Sequence, residues 1–297
     1  ETGDEVVVPP LTMSSTSFAV LQANATPVFA DVNLDTFQIC ANSIEERITE
    51  RTKAIITVAL YGLSPDMDPI MGLAKKYGLK VIEDNAECFL GEYKGKIVGT
   101  LGDCASFSFQ SSKHLTSGEG GMIITGDAEL ADKMRKVQSL GYAGVGASNA
   151  KITKSDIQSP DYSRHISMGW NYRMPELCCA VALAQVENID VLVETRVAAA
   201  KIFEEATKDF HSWFRPQFVG TEYKNTYWTW VCKNLHPTAS WWEIRDAFLS
   251  NGGHGVYGAW KLTYLEPMFQ NMNLLGREAF LNKENSQSHD RGLCPNA

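Results

Sequence analysis

No run of apolar residues in this chain reaches the ~18 that a membrane span needs. The opening residues do not follow a signal-peptide pattern either. Zinc-type Cys-x-x-Cys spacing is absent, and so is any His-x-x-x-His pair, which speaks against structural zinc modules and metal hydrolases. No metal site is expected. The seven cysteines are odd in number and fit no small secreted framework; they read as reduced core thiols of a cytoplasmic enzyme. Basic residues are in the minority, 27 Lys and Arg against 35 Asp and Glu, a net charge of −8. That balance argues against a nucleic-acid or anionic-membrane partner. A dinucleotide fingerprint is missing too. The first strand-like run, Glu5–Val8, meets Pro9-Pro10 instead of glycines, and the Gly-x-Gly at Gly144 and Gly146 has Asn149 where a third glycine belongs. This speaks against a nicotinamide-dependent sugar oxidoreductase. Internal repeats and low-complexity segments are also lacking.

What is present is ordinary globular material: 297 residues, 44% hydrophobic and 21% charged, enough for one or two domains. The first half alternates short apolar runs with amphipathic stretches. Strands are predicted at Glu5–Val8, Pro27–Val32, Ala54–Leu60, Leu79–Glu83, Ala105–Phe109 and Met122–Thr125. Helices are predicted at Ser17–Asn24, Ser43–Glu50, with Ser43 and Glu46 as a capping box, Asp66–Tyr77 and Asp127–Ser139. Strands apolar on both faces and separated by helices predict an α/β fold, a mostly parallel doubly wound sheet. Leu140–Arg164 reads as a long loop near a functional surface, and Pro175–Arg196 as one long helix. After about residue 200 the pattern becomes a smaller α+β domain. It has a strand at Tyr227–Cys232 and a capping box, Ser240 with Glu243, before a helix that Gly252-Gly253 ends. The division expected is 1–200 and 201–297, with both ends cut from a longer protein. Six of the seven tryptophans lie beyond residue 200, for packing or for stacking on a planar ligand.

Two segments stand out chemically. In Ser106–Gly121, SFSFQSSKHLTSGEGG, Lys113 follows a strand end and precedes a Gly-Glu-Gly-Gly turn. In Val81–Glu87, VIEDNAE, Asp84 falls at the carboxyl end of a buried strand. Open α/β sheets bind ligands beyond those ends. Taken alone, Lys113 reads first as a solvated surface lysine and Asp84 as a loop cap. Together they match what pyridoxal phosphate needs, an amine for a Schiff base and a carboxylate for the ring nitrogen. A carboxylate about 4 Å from a pyridinium gains about 4 kcal/mol at an effective dielectric near 20, roughly three pKa units.

With those residues, the sequence resembles the DegT/DnrJ/StrS family of sugar aminotransferases, a fold type I group. The likeness runs through GDEVVVPP, TPVFADV, TKAIITVALYG, GLKVIEDNAE, YKGKIVGTLGD, FSFQSSKHLTSGEGG and MGWNYRMPE, roughly residues 3–200. It implies that Lys113 is the Schiff-base lysine and Asp84 the partner of the pyridine nitrogen. Glu87 stands beside the phenolic oxygen, where the family often has glutamine. Ser108 binds the phosphate, and Asn171 binds it from a neighbouring subunit, so a homodimer with a shared site is implied. Taken alone, Ser108 is an inward strand residue and Asn171 a helix-entry cap. The implied reaction moves an amino group, usually from glutamate, to a nucleotide-linked keto sugar, with the cofactor passing through its pyridoxamine form. Related dehydratases carry histidine in place of the lysine. Here Lys113 holds that position and His114 follows it, which favours transamination.

The sequence departs from the family pattern in three ways. Met13 stands where an aromatic ring usually covers the cofactor; its thioether can still cover a ring face. A Gly-Thr or Gly-Ser phosphate turn is expected upstream of this chain's first residues. Thr226-Tyr227-Trp228 replaces a His-x-Tyr-Tyr-like segment that bears on the substrate. A cofactor-binding member of the same fold without catalysis is the alternative reading; the joint presence of Lys113, Asp84 and Glu87 argues against it.

Overall fold

The computed structural model describes residues 1–146, 152–271, 290 and 292–297. Its strands are β1 (Glu5–Val8), β2 (Thr26–Phe29), β3 (Thr52–Val58), β4 (Lys80–Asp84), β5 (Glu92–Tyr93), β6 (Lys96–Ile97), β7 (Cys104–Ser108), β8 (Gly121–Ile124), β9 (Phe214–Pro216), β10 (Tyr223–Lys224) and β11 (Cys232–Asn234). Its α-helices are α1 (Ser15–Gln22), α2 (Ala41–Arg47), α3 (Met67–Tyr77), α4 (Ala128–Gln138), α5 (Lys154–Gln158), α6 (Glu176–Val186), α7 (Ile189–Thr207), α8 (Trp241–Ser250) and α9 (Pro267–Gln270). Six strands form the main sheet in the order β2-β1-β3-β4-β7-β8. Every pair is parallel except β7 with β8. The fold is therefore α/β with a mostly parallel sheet, as expected. Among the described residues no helix is long and apolar enough to cross a membrane.

The two-residue period of the strands explains their unbroken apolar character. Val7 and Ile55 enter one core with Ile44, Ile70, Val81 and Tyr93. Their neighbours Val8 and Ile56 enter the opposite core with Phe29, Tyr264, Phe269 and Cys294. Each such side chain contributes roughly 1.5–3 kcal/mol when fully buried, so both faces of the sheet must be covered. The chain beyond residue 260 supplies part of that cover.

Four local expectations change. Ser43 does not cap a helix: α2 starts earlier, at Ala41 with Cys40 as its cap position, and Ser43 Oγ accepts from the Asp31 amide at 2.8 Å. A competing acceptor role on the neighbouring loop has taken the hydroxyl. The helix expected over Pro175–Arg196 is two helices, α6 and α7. Asn188 Nδ2 donates to the Ala184 carbonyl at 2.8 Å, ending α6 before α7 begins. The alternating Tyr227–Cys232 run is not a strand; only Cys232–Asn234 pairs, with β9. Tyr227 sits at φ 48°, and Asn225 Oδ1 accepts from its amide at 2.8 Å, so a side-chain-stabilised turn wins over strand propensity. The stretch 140–164 is not wholly loop, since it carries α5 with a Thr153–Asp156 capping box. Residues 147–151, including Asn149, lie outside the described residues. The capping box at Ser240 and Glu243 is present at the start of α8.

Candidate active site

Parallel strands β1, β4 and β7 end on the same edge of the sheet, and the polar residues gather there. Asp84 is the last residue of β4. Its Oδ2 accepts from Thr16 Oγ1 at 2.8 Å, and its Oδ1 accepts from the Ala86 amide at 3.2 Å. Thr16 lies in the first turn of α1, just past the end of β1. Burial pushes the Asp84 carboxyl up from the usual range, while these bonds and the charge of Lys113 pull the other way. Glu87 follows three residues on and is buried. Its Oε2 accepts from the Tyr61 amide at 3.0 Å, and its Oε1 lies 3.4 Å from Lys113 Nζ. Burial raises its pKa as well, against the opposing pull of Lys113.

Lys113 is delivered by the chain leaving β7. Its amide donates to the Gln110 carbonyl at 3.0 Å, closing a turn, and its side chain is 12% exposed. The Trp228 ring covers the ammonium at 4.6 Å. Gly120 lets the chain come back: at φ 147° its missing Cβ would stand 2.8 Å from Met174 Sδ. Phe109 then donates to the Gly120 carbonyl at 2.9 Å, and β8 starts at the next residue. Leu115 anchors the turn among Phe89, Phe109, Ala182 and Val193.

His114 is buried on the other side. Its Nε2 donates to the Thr226 carbonyl at 2.9 Å, which leaves Nδ1 as an acceptor. Burial pulls its pKa down to about 4, so it is neutral at pH 7. Lysine, not histidine, therefore faces the carboxylates.

The remaining sequence-predicted residues are placed less tightly. Ser108 ends β7 half-buried, its Oγ accepting from the Gln110 amide at 3.2 Å, which leaves the hydroxyl proton to donate. Met13 is exposed three residues before Thr16. Asn171 stands apart from this cluster: its main chain bridges to Ser139 and its Oδ1 accepts from Arg173 Nε at 2.9 Å. Thr16, Tyr61, Trp228 and Arg196 were not singled out as site residues. Thr16 had a signal in its place in the first helix after β1, and Trp228 in the tryptophan bias beyond residue 200. Tyr61 acts through its amide and gave none.

The donor set fits pyridoxal phosphate. Two carboxylates face one ammonium, and the direct partners of Asp84 are neutral donors. A half-buried carboxylate without a cation in contact is what a protonated ring nitrogen would complete.

Comparison with known proteins gives the same direction. The sequence profile of the DegT/DnrJ/EryC1/StrS aminotransferase family matches residues 1–269. The chain is similar to the GDP-perosamine synthase of Escherichia coli O157:H7, 39% identical over 226 residues, 76% of this chain and 57% of that protein. It is similar to the GDP-perosamine synthase of Caulobacter vibrioides at 37% over 234 residues, 78% of this chain and 58% of that protein. The chain thus spans under two thirds of the length of these relatives. Among solved structures, an aminotransferase from Psychrobacter cryohalolentis superposes with a TM-score of 0.82 at 31% identity, covering 94% of this chain and 73% of that one. S. venezuelae DesV, solved in complex with a ketimine intermediate, gives a TM-score of 0.79 at 27% identity, covering 94% of this chain and 71% of that one.

Proposed function

The chain belongs to the DegT/DnrJ/EryC1/StrS aminotransferase family, and from that premise we propose that it moves an amino group from an amino acid, glutamate in our reading, to a nucleotide-linked keto sugar, with pyridoxal phosphate as cofactor. One observation carries the reading. Lys113 Nζ stands 3.4 Å from Glu87 Oε1, and Lys113 and Asp84 act on one another electrostatically at the carboxyl edge of the sheet. The names of the curated relatives support a GDP-linked amino sugar as the class of product.

Bound there, the cofactor supplies an aldehyde carbon that takes up an amine and a ring that withdraws electrons from it. Lys113 Nζ would be the amine that holds that carbon at rest. Displaced by an amino donor, Lys113 Nζ would take the proton from the donor's Cα and hand it to that same cofactor carbon. Asp84 would keep a proton on the ring nitrogen, whose charge would offset the desolvation that raises the carboxyl's pKa. Glu87 would stand next to the phenolic oxygen, and it steers the Lys113 ammonium. Ser108 would donate its hydroxyl to the phosphate, and Met13 would cover the ring. Lys113 in this place, with His114 neutral and bonded to the Thr226 carbonyl, supports transamination over dehydration.

Asn171 completes the phosphate site of a second copy in this proposal. Support comes from the surface around it. Helix α6, ELCCAVALAQV, is apolar on nearly every face, yet Leu177 and Leu183 are exposed, as are Met168, Trp170 and Tyr172. A helix apolar all round is normally buried, and a homodimer buries it.

The experiment is direct. Purified protein mixed with pyridoxal phosphate should develop visible absorbance, glutamate should bleach it toward the near-ultraviolet, and Lys113→Ala should show neither change. Absorbance identical in parent and Lys113→Ala protein would falsify the proposal.

A further inference from the structure

Lys113 comes from the large sheet, but its main chain is held from elsewhere. Arg196, within α7, donates to three carbonyls: Trp228 at 2.5 Å, Lys113 at 2.8 Å and Ser112 at 3.1 Å. Trp228 Nε1 donates to the Ser112 carbonyl at 2.8 Å, and its ring lies over Lys113 Nζ. His114 and the Thr226 carbonyl make a further tie between the same two segments. Segment 226–228 is itself tied down: Thr226 donates from its amide to the Gly62 carbonyl at 3.0 Å, and Tyr227, in the left-handed region, donates its amide to Asn225 Oδ1 at 2.8 Å.

A guanidinium has five donors in a planar fork and suits several acceptors at once. Desolvation is what moves the pKa of Arg196, downward, and no carboxylate offsets it. Its bonding is therefore directed to backbone, at the residue that bears the reactive amine and at the residue that covers that amine. An arginine serving as a general surface charge would not be arranged so.

We infer that Arg196 is a positioning residue for Lys113: it locks the main chain of the lysine turn to segment 226–228, and so fixes the amine between Glu87 and the Trp228 ring. The inference deepens the proposed function and rests on Lys113 as the reactive amine, but its test needs no cofactor.

The test is site-resolved acetylation of the full chain with acetic anhydride, without cofactor, read by mass spectrometry. Lys80 and Lys133 serve as internal references, since both lie on the surface. Loss of the charge-assisted bonds in Arg196→Ala should free Lys113 to acetylate about tenfold faster, with the references unchanged. Arg196→Lys keeps the charge but cannot bridge three carbonyls, so its rate at Lys113 should fall between. A general loosening of the fold would also speed acetylation of Lys233, which is half-buried in β11, whereas a role confined to Lys113 leaves it unchanged. Rates at Lys113 within about twofold of the parent in both folded variants overturn the inference, because charge-assisted bonds of this kind are worth more than that. If Arg196→Ala fails to fold, Arg196→Lys decides; if both lose the fold, the residue is a strut and the inference is overturned. Borohydride trapping of pyridoxal phosphate on the parent separates the two readings. A parent that traps nothing at Lys113 overturns the cofactor assignment, while acetylation still decides the role of Arg196.

Discussion

The carboxyl edge of the sheet and the face around α6 invert the usual partition of residues in opposite ways. At the edge, charge is drawn inward: Glu87 is buried, and Asp84 and Lys113 beside it are half-buried. Around α6, apolar surface is exposed: Leu177 is 83% accessible and Met168 76%. An isolated exposed leucine means little, but a contiguous apolar patch marks an interaction surface. Both inversions cost stability in a lone polypeptide. The first inversion suits the small polar ligand proposed above, and the second suits the proposed homodimer contact.

The sharpest way to break the first half of this comparison is to remove the amine. Lys113→Ala should lower transamination more than about thousandfold, because both the nucleophile and the proton carrier are lost. Steady-state assay with glutamate and a nucleotide-linked keto sugar checks it. Only a slight loss would mean that the buried charges serve packing.

The edge was more legible than the face, for physical reasons. Asp84 and Lys113 follow short strands with strong β signals, so sequence distance from the strand end fixes their position. The six sheet strands were placed to within two or three residues, because apolar runs on both faces leave little choice of element. What failed was decided by tertiary partners. Ser43 lost its cap to the Asp31 amide, and Tyr227–Cys232 lost its strand to the Asn225 side chain. Arg196 had no local signal, since its three acceptors lie 32 to 84 residues away in sequence. Asn171 was read only by resemblance, and its geometry within one chain ties it to Ser139 and Arg173.

Acid should sharpen the comparison next. His114 is buried with its pKa pulled down to about 4 from an ordinary 6.5. As pH falls below 6.5 the unfolded chain takes the proton first, so stability is lost between 6.5 and about 4. The full loss from this one group is about 3 kcal/mol. Denaturant titrations at pH 7 and pH 4.5 should show most of it, and His114→Gln should reduce the difference. An unchanged pH slope in that variant would place the acid sensitivity elsewhere.

At the α6 face the expected effect is smaller. Leu177→Lys puts a charge where the second copy is proposed to sit. It should weaken self-association about tenfold or more, from the lost apolar burial and the charge to be desolvated. Sedimentation velocity across a dilution series checks this, and affinity for pyridoxal phosphate should fall with the dimer. A variant that dimerises as the parent does would leave the exposed leucines unexplained by a second copy.

The smallest effect is the most discriminating, because its sign runs against intuition. Burial raises the pKa of Asp84 in the folded chain, so its ionised form is disfavoured there relative to the unfolded chain. Between the unfolded and folded pKa values the native state holds more protons, and stability therefore falls as pH rises through that window. Above that window the cofactor-free protein carries this cost in full. Asp84→Asn removes the charge, keeps an oxygen for the Thr16 hydroxyl and gives up one acceptor for the Ala86 amide. The cofactor-free variant should melt about 2 °C higher than the parent. Its affinity for pyridoxal phosphate and its turnover should both drop, since the amide cannot keep the ring nitrogen protonated. Stability gained with function lost is the signature of a charge kept for a ligand. A melting temperature that falls instead would show that Asp84 is held for its hydrogen bonds to Thr16 and Ala86, and the buried charge would lose its claim to mark the site.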